Sequence, residues 1–364
     1  MKQKKSDILT ILLFCGFLFG MLICYLAMPK LAFSENEKRY LADAPKVSWT
    51  AVASGAWGED AETYMADHIP GRDFFVGLNA YFDLYTGRQV SKDVWLRGDR
   101  LVEAPVEIDS SGAMTRMTVI NNFAQTVGRT VDVAIVPSAG WALEGVSGGY
   151  LDDAIIRGIS AMAGENVNPV DMLSVFENNP QLYFKTDHHW NSAGAYAGYA
   201  AYMNALGREP VGEDSFRKEV FGTFRGSTYS RSALWLTPGE ELELWQGSDC
   251  LTVTNAETEG EHAGVFYWER LEEADKYTVF LDGNHSLVRI HNPNGEGKLL
   301  VIRDSYSNSL GCFLAESYEE VVLVDLRYYL GAVSELAAQE GFDNILVCYS
   351  IGNFMTDTNI IRLR

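Results

Sequence analysis

The stretch LLVIRDSYSN, residues 299–308, decides the fold because a short apolar run passes directly into a helical pattern. A mostly apolar run of five residues bounded by a turn is typical of a buried strand. The apolar residues of 307–317 have helical spacing. The same alternation recurs on both sides of this stretch, with strands expected at 131–137, 321–326 and 344–349 and helices at 114–126 and 331–339. Alternation at this spacing predicts an α/β fold with a mainly parallel sheet covered on both faces.

The stretch from about residue 213 to 290 interrupts this alternation. It contains short apolar segments at 242–245 and 279–281, both expected to be strands, with Gly, Asn and Asp between them. We predict a mostly β insertion within an α/β domain that spans residues 91–364. Residues 31–90 are predicted to form a polar linker followed by an amphipathic helical segment, broken at Pro70.

Residues 1–30 differ in composition from the rest of the chain. No charged residue occurs from Ile8 to Met28, and about 20 apolar residues suffice for a helix that spans a bilayer. Lys2, Lys4 and Lys5 precede this run, so the positive-inside rule predicts a cytoplasmic N-terminus and an extracytoplasmic remainder. A cleaved signal peptide is the alternative. The length of the run and the lack of a clear small-x-small cleavage site favour an uncleaved anchor.

Charge and cysteine content restrict the classes of partner. The chain has 29 basic and 49 acidic residues, a formal net charge of −20. This balance disfavours nucleic acid, anionic lipid surfaces and strongly polyanionic substrates, and a neutral or cationic glycan suits it better. Only three of the five cysteines lie outside the apolar N-terminal run, which is not the pattern of a disulfide framework.

The segment KTDHHWNS, residues 185–192, contains two of the six histidines and precedes a helical pattern for which Ser192 is the expected N-cap. Asp187 and His189 are two residues apart, so in an extended loop both side chains can point the same way. A carboxylate that accepts one imidazole N–H fixes the tautomer and leaves the other nitrogen available as a base. The segment therefore predicts the acid-base part of a catalytic site.

Two other interpretations of this segment stay open. Asp187, His188 and His189 are metal-ligating residue types, but no further His or carboxylate follows at a helical ligand spacing, so we predict no metal site. The polar groups of the loop could also serve only to satisfy one another.

Ser305 lies at the predicted turn between strand and helix. Such a turn exposes a hydroxyl while the first backbone N–H groups of the helix point to where an oxyanion would form, although the Gly-x-Ser-x-Gly signature is absent. Arg327 follows the next predicted strand and is expected at the same sheet edge. Its guanidinium could orient a substrate oxygen or form an ion pair with Asp325.

These stretches together resemble a known bacterial family. The segments TDHHW at 186–190 and RDSYS at 303–307 resemble the DHHW proteins, which are similar to the alginate O-acetyltransferases with an SGNH-hydrolase-like domain. Supporting matches occur throughout the predicted exported part: SENEKR at 34–39, DHIPGRD at 67–73, FRGSTYS at 224–230 and LDGNH at 281–285.

The resemblance implies an SGNH-hydrolase-like three-layer α/β/α fold in which Ser305 is the nucleophile, His189 the general base and Asp187 its orienting acid. It also implies a role for an Arg after the following strand, which lands on Arg327. Asp304 belongs to the motif but would not be the triad acid.

Four neighbouring residues complete the predicted site. Tyr306 and Asn308 are candidates for orienting the substrate or its oxyanion because they lie next to Ser305, and His188 and Trp190 are expected to shape the loop. The Gly and Asn blocks that donate to the oxyanion in ordinary SGNH hydrolases are not identifiable. No cofactor is expected.

The activity implied is O-acetylation of a cell-surface or secreted polysaccharide, with a multi-pass membrane O-acyltransferase as the supplier of acyl groups. Two alternatives remain at this point. The same triad would serve a glycan O-acetyl esterase, and the fold could also carry a non-catalytic glycan-binding or cell-wall assembly protein.

Overall fold

The computed structural model describes residues 2–88 and 90–363. The chain forms two compact units. The first comprises the described residues of Met1–Lys92 together with Ser230–Leu236, and the second comprises those of Asp93–Tyr229 and Thr237–Arg364.

The described residues form helices and strands along the whole chain. The α-helices are α1 (Lys2–Ala27), α2 (Trp49–Ser54), α3 (Ala56–Asp67), α4 (Arg72–Tyr85), α5 (Ser110–Val127), α6 (Ala139–Glu144), α7 (Asp152–Ser160), α8 (Leu173–Phe176), α9 (Ser192–Ala205), α10 (Ser227–Ser232), α11 (Ser307–Leu314), α12 (Val333–Glu340) and α13 (Ile351–Thr356). Short 3-10 helices occur at Gly145–Gly148, Pro180–Leu182, Glu213–Ser215, Trp268–Glu272, Lys276–Val279 and Asn359–Arg362.

The strands are β1 (Phe33–Ser34), β2 (Arg39–Tyr40), β3 (Val90–Ser91), β4 (Val94–Arg97), β5 (Arg100–Glu103), β6 (Val131–Val136), β7 (Val167–Val170), β8 (Arg217–Phe224), β9 (Glu240–Gln246), β10 (Thr252–Asn255), β11 (His262–Ala263), β12 (Leu287–His291), β13 (Lys298–Arg303), β14 (Glu320–Val324) and β15 (Asn344–Ser350).

The second unit is built on an eight-stranded mixed sheet with the order β11-β10-β12-β14-β13-β15-β6-β7. The five strands from β14 to β7 are parallel, and β12, β10 and β11 continue the sheet in antiparallel fashion. The predicted α/β class is confirmed, and so are the strands and helices expected around residues 299–308.

The central strands are continuously apolar because both faces of the sheet are covered. Every residue of β6 is buried, as is every residue of β13, β14 and β15 after the first. Helices α12 and α13 each contact α5, and helices α8 and α11 each contact α9. Their packing on the sheet removes from water the apolar side chains that drive folding. All five cysteines are free.

Residues 213–290 contribute β10, β11 and nearly all of β12 to this sheet. The strands β8 and β9 of the same stretch form a separate antiparallel pair. The prediction of a strand at 279–281 was wrong. This run ends a 3-10 helix, and Leu281 and Asp282 then adopt positive φ angles of 56° and 63°. Its apolar side chains are buried in the core, and Phe280 forms only an isolated antiparallel bridge with Phe266, so the run reflects burial and does not extend into a strand.

The first unit contains the predicted anchor. Within α1, Ser6–Ala27 is long and apolar enough to cross a membrane. The residues after it include a buried ion-pair network centred on Asp67, at the end of α3. Its carboxylate accepts hydrogen bonds from the Arg39 guanidinium and from the Ala42 backbone N–H, and Arg72 lies 3.7 Å away. The hydrogen bond from Arg39 and these neighbours lower the pKa of Asp67 to about 2.

Candidate active site

The loop that carries Asp187 to Trp190 is fixed at its start by a partly buried carboxylate. Glu240, at the first position of β9, accepts hydrogen bonds of 2.8 Å from the backbone N–H groups of Lys185 and Thr186 and from the Thr186 hydroxyl. Burial raises the pKa of Glu240 despite these donors. The loop therefore has a fixed entry point before the Asp-His-His-Trp segment begins.

The exit of the loop is fixed by the start of α9. Asn191, and not Ser192 as predicted, is the N-cap, and its side chain accepts a hydrogen bond of 3.0 Å from the Gly194 N–H. The Ser192 hydroxyl instead donates to the Glu243 carbonyl at 2.6 Å. Asn and Ser are equally good N-caps, and here the contact of Ser192 with β9 decides between them.

Trp190 is fully buried against α9 and α11. Its indole N–H donates to the Ser309 hydroxyl at 2.9 Å and the Tyr306 carbonyl at 3.1 Å. Gly198 of α9 leaves the space for this ring, because a Cβ at that position would lie 2.8 Å from the indole. Trp190 thus joins the loop to the turn that holds Ser305.

Asp304 holds the turn between β13 and α11 in place. One carboxylate oxygen accepts a hydrogen bond of 3.0 Å from the Tyr306 N–H. The other accepts three bonds of 2.8 Å, from the N–H and hydroxyl of Ser350 and from the Asn353 amide. Asp304 is buried and does not bond to a histidine among the described residues, so its contacts are those of a residue that fixes the backbone.

The structure brings Asp187, His189 and Ser305 together. His189 Nε2 lies 2.8 Å from Ser305 Oγ, and His189 Nδ1 lies 2.5 Å from Asp187 Oδ1. All three side chains are buried or nearly so, with Ser305 the most accessible at 8% exposure. This is the geometry in which an imidazole can take a proton from a serine hydroxyl.

Asp187 is held in the ionised form. Burial alone would raise its pKa, but the charges of His189 and His188 and hydrogen bonds from His189 and the Ser227 N–H hold the pKa well below its ordinary value. The Ser227 N–H donates to Asp187 Oδ2 at 2.6 Å. Gly226 allows this approach, because a Cβ there would lie 2.2 Å from the Asp187 Cβ.

Aromatic rings enclose the imidazole of His189. The Tyr277 ring is stacked on it with centroids 3.9 Å apart and planes 7° apart, and the His188 ring centroid lies at 3.8 Å. The Tyr277 hydroxyl donates to the Ser305 carbonyl at 3.2 Å. Burial raises the pKa of Tyr277 well above its ordinary value, so this hydroxyl keeps its proton. Tyr277 therefore orients both His189 and the serine turn.

The sequence predicted that the backbone N–H groups at the start of α11 point into the site. This prediction was wrong. Those of Tyr306, Ser307 and Asn308 are each hydrogen-bonded to Asp304 or Ser305. The first turn of this helix thus closes on its own preceding residues. Within the described part of the chain, the Ser305 N–H has no hydrogen-bond acceptor and remains available as a donor.

The Asn308 side chain is also committed elsewhere. It is buried, its oxygen accepts a hydrogen bond from the Arg303 guanidinium, and its amide donates to Asn284 Oδ1 at 3.1 Å. Arg303 donates to the same Asn284 oxygen at 3.3 Å. Two donors therefore fix the carbonyl side of the Asn284 amide, which leaves its exposed NH₂ group directed away from them.

Asn284 lies at the same edge of the sheet as Ser305. It precedes β12, whose first residue, Leu287, pairs with Val324 at the carboxyl end of β14. Ser305 follows the carboxyl end of β13, the strand beside β14. The sequence contained this residue in the LDGNH segment but gave no sign that it bonds to Arg303 and Asn308, on either side of Ser305 in the chain.

The other predicted residues have defined contacts. The Tyr306 hydroxyl donates to the His188 carbonyl, and His188 Nδ1 lies 2.6 Å from the Ser227 hydroxyl. Arg327 forms the ion pair that the sequence left as one alternative: its guanidinium donates to both oxygens of the buried Asp325, the shortest distance being 2.6 Å. This contact raises the pKa of Arg327, against the effect of its burial.

A metal ion would have to compete with the hydrogen bonds of the site. Asp187, His188 and His189 present ligand atoms within 4.8 Å of one another, the one such group found in the described part of the chain. Both ring nitrogens of His189 and both oxygens of Asp187 already have hydrogen-bond partners. These residues therefore fit proton transfer without rearrangement, whereas metal binding requires those bonds to break.

Solved structures share this fold. A DHHW family protein from Eubacterium siraeum superposes with a TM-score of 0.66 and 21% sequence identity, over 75% of this chain and 96% of that one. PatB1 of Bacillus cereus, solved with a sulfonyl adduct, superposes with a TM-score of 0.61 and 21% identity, over 74% of this chain and 98% of its own. At this level of identity the likeness establishes the fold. A comparison with curated proteins finds no match.

The sequence itself carries the family assignment. The profile described as DHHW protein matches residues 112–324, which is more than half of the chain. The match includes the Asp-His-His-Trp segment, Ser305 and the strands between them. This chain therefore belongs to the DHHW protein family.

Proposed function

We propose that this protein is an extracytoplasmic serine acyltransferase that O-acetylates a cell-surface or secreted polysaccharide, on an SGNH-hydrolase-like three-layer fold. The observation that carries the proposal is the chain of hydrogen bonds from Ser305 Oγ through His189 to Asp187. Ser305 is the nucleophile, His189 the general base and Asp187 the residue that orients the imidazole.

In the first half of the reaction, Ser305 Oγ attacks the carbonyl carbon of an acyl donor and its proton moves to His189 Nε2. The carboxylate of Asp187, ionised because its pKa is strongly lowered, stabilises the imidazolium that forms. The tetrahedral intermediate collapses when the bond to the leaving group breaks, and His189 returns the proton to that group. An acyl-serine ester remains.

In the second half, a sugar hydroxyl attacks the ester of Ser305. His189 takes the proton of that hydroxyl, the bond from carbonyl carbon to Ser305 Oγ breaks, and the proton passes to the serine oxygen. The Ser305 N–H and the Asn284 amide are the donors that we assign to the oxyanion in both halves, because the donors of Tyr306 and Asn308 are occupied.

The N-terminus supports an extracytoplasmic location for the site. With Lys2, Lys4 and Lys5 on the cytoplasmic side of α1, the catalytic unit is exported and has no direct access to cytosolic acyl donors. We therefore propose a multi-pass membrane O-acyltransferase as the partner that delivers the acyl group. The strongly acidic composition favours a neutral or cationic glycan as the acceptor.

Covalent labelling tests the nucleophile. We expect a fluorophosphonate probe to label the purified chain and to fail on Ser305→Ala, while Ser307→Ala, two residues further on, keeps full labelling. Because a sulfonyl adduct was obtained on the related PatB1, a sulfonyl fluoride provides a second reagent. Undiminished labelling of Ser305→Ala would show that another residue is the nucleophile.

Analysis of the surface polysaccharide separates transfer from hydrolysis, which use the same triad. Mass spectrometry of the glycan from a deletion strain should show fewer O-acetyl groups if the protein is a transferase. An increase would identify an O-acetyl esterase. Unchanged acetylation in a strain in which only Ser305→Ala is introduced would favour a glycan-binding or assembly role.

A further inference from the structure

Large apolar side chains are exposed in one part of the first unit. Helix α4 presents five of them to solvent, with exposed fractions from 42% for Phe75 to 83% for Tyr85. We call this set the α4 stripe; it consists of Phe74, Phe75, Leu78, Phe82 and Tyr85. A contiguous apolar surface of this kind is unusual on a soluble protein and marks an interaction site.

The α4 stripe is not the face by which the helix packs on its own unit. Successive residues of a helix are rotated by about 100°, which places the five side chains in one sector about 100° wide. The buried residues Gly77 and Ala80 lie in a different sector, and Gly77 packs against Trp235 with a Cβ contact of 3.5 Å. Asn79 and Asp83 occupy a third, polar sector. The helix thus has a packed face, a polar face and an uncovered apolar face.

The two helices that precede α4 in the chain also expose large apolar side chains. Trp49 and Val52 of α2 are 90% and 47% exposed, and Met65 of α3 is 52% exposed. In the second unit, exposed large apolar residues are fewer for its size and scattered along the chain. The concentration between residues 47 and 85 therefore indicates a specific partner for this segment.

The same unit contains the helix that is able to cross a membrane. Tyr25, in the last turn of α1, lies close enough to Tyr64 of α3 for the two phenols to interact electrostatically. The end of the membrane span and the helices that follow it are thus near each other. Phe, Tyr, Trp and Leu are the side chains that occupy the lipid–water interface beside such a span.

The charges near the α4 stripe indicate which force would hold it to a partner. The polar sector beside the stripe contains Asn79, Asp83 and Arg72. The guanidinium of Arg72 is paired with Glu37, and Arg88, just beyond the helix, is paired with Asp83, so this sector has no cluster of unpaired Lys and Arg that would attract anionic lipids. The chain as a whole carries a formal charge of −20. Burial of apolar surface is the remaining source of affinity, so attachment should not require anionic headgroups.

We propose that the α4 stripe lies in the lipid–water interface of the membrane that α1 crosses, with the helix axis parallel to the membrane plane. The occupant of this surface is the acyl-chain and headgroup boundary of a bilayer. The segment 47–85 is then a second, monotopic attachment of the first unit, in addition to the transmembrane helix. This inference is independent of the proposed acyl transfer.

Spin-label accessibility in nanodiscs tests the arrangement with the full-length chain. Labels are placed at Leu78→Cys and at Asn79→Cys, neighbours at the same position along α4 but about 100° apart around its axis. Cys15, Cys24 and Cys250 are replaced by Ala, while Cys312 and Cys348 are buried. The nanodiscs contain neutral phosphatidylcholine. We expect the label at 78 to be accessible to oxygen and shielded from a water-soluble nickel complex, and the label at 79 to show the reverse.

Two other results would overturn the proposal. Equal nickel accessibility at 78 and 79 would mean that the stripe faces water, and low accessibility of the label at 78 to both reagents would mean that protein covers it. The pair Phe82→Cys and Asp83→Cys, one turn further along the helix, repeats the comparison if the first pair does not fold. Restoring the wild-type cysteines one at a time checks that their replacement does not alter the result.

Discussion

The Asp187 carboxylate binds His189 twice through one oxygen: Oδ1 accepts the backbone N–H of His189 at 2.9 Å and faces its ring Nδ1 at 2.5 Å. The ring and the main chain of His189, the proposed base, are therefore both held by a single acidic residue. In Asp187→Asn the amide can no longer accept from Nδ1–H in the same way and favours the wrong tautomer. We expect kcat for p-nitrophenyl acetate to fall by about 10⁴-fold.

The control for this variant is Asp132→Asn. Asp132 is also buried, but its carboxylate bonds to Asn168 and Tyr202, and burial raises its pKa. We expect its esterase activity to match that of the wild type. Equal losses of activity in the two variants would mean that Asp187 acts only through folding.

Asn284 is expected to stabilise the oxyanion. Its amide is oriented by Arg303 and Asn308, so Asn284→Ala removes a preorganised donor without opening the core. We expect kcat to decrease by about 10²- to 10³-fold while KM changes little, as for the loss of one oxyanion donor. Asn294→Ala, beyond the other end of β12, is the control and should retain both constants. A change in KM alone would assign Asn284 to substrate binding.

Gly226→Ala tests the support of Asp187. The added Cβ would lie 2.2 Å from both the Cβ and Oδ2 of Asp187, so either the loop or the carboxylate must move. We expect the free energy of unfolding to fall by about 1–3 kcal/mol, as for overpacking, and activity to fall further than stability explains. Gly212→Ala is the matched control because nothing lies within 4 Å of its Cβ position. Chemical denaturation and esterase assays on both variants decide the point; equal behaviour would contradict it.

The ion pairs of Asp67 predict the acid stability of the first unit. Its pKa is about 2 in the folded chain and about 4 for an unfolded Asp. The stabilisation from the ionised carboxylate is therefore complete above about pH 4 and is lost as the pH falls toward 2. In Asp67→Asn we expect a lower melting temperature at neutral pH and a smaller decrease between pH 4 and 2. Asp43→Asn, which changes an exposed carboxylate, should follow the wild type.

Most of the fold could be predicted because its signals are local. The apolar runs of β6, β13 and β15 identify buried strands, and the helical spacing after residue 307 identifies α11. The segment 279–281 shows the limit of this reasoning. A short apolar run indicates that its side chains are buried. Whether the run extends into a strand depends on backbone angles such as the positive φ of Leu281, which the run does not encode.

Some residues of the candidate site could also be predicted from local sequence, and others could not. Asp187, His189 and Ser305 could be selected because two short segments each contain suitable residue types. Glu240 and Tyr277 could not, because each acts through a contact with a residue far away in sequence and carries no local pattern of its own. The occupied N–H groups at the start of α11 likewise depend on how Asp304 folds back on its own turn.

The stretch 213–290 has a consequence for how inactive relatives are to be recognised. It supplies the Ser227 N–H that holds Asp187, the Tyr277 ring that stacks on His189 and the Asn284 amide beside Arg303. A homologue could keep the Asp-His-His-Trp letters and the serine yet lose this stretch, and the histidine that corresponds to His189 would then lack these contacts. Surveys that infer activity from the four-letter signature should therefore weigh residues 213–290 as heavily as the signature itself.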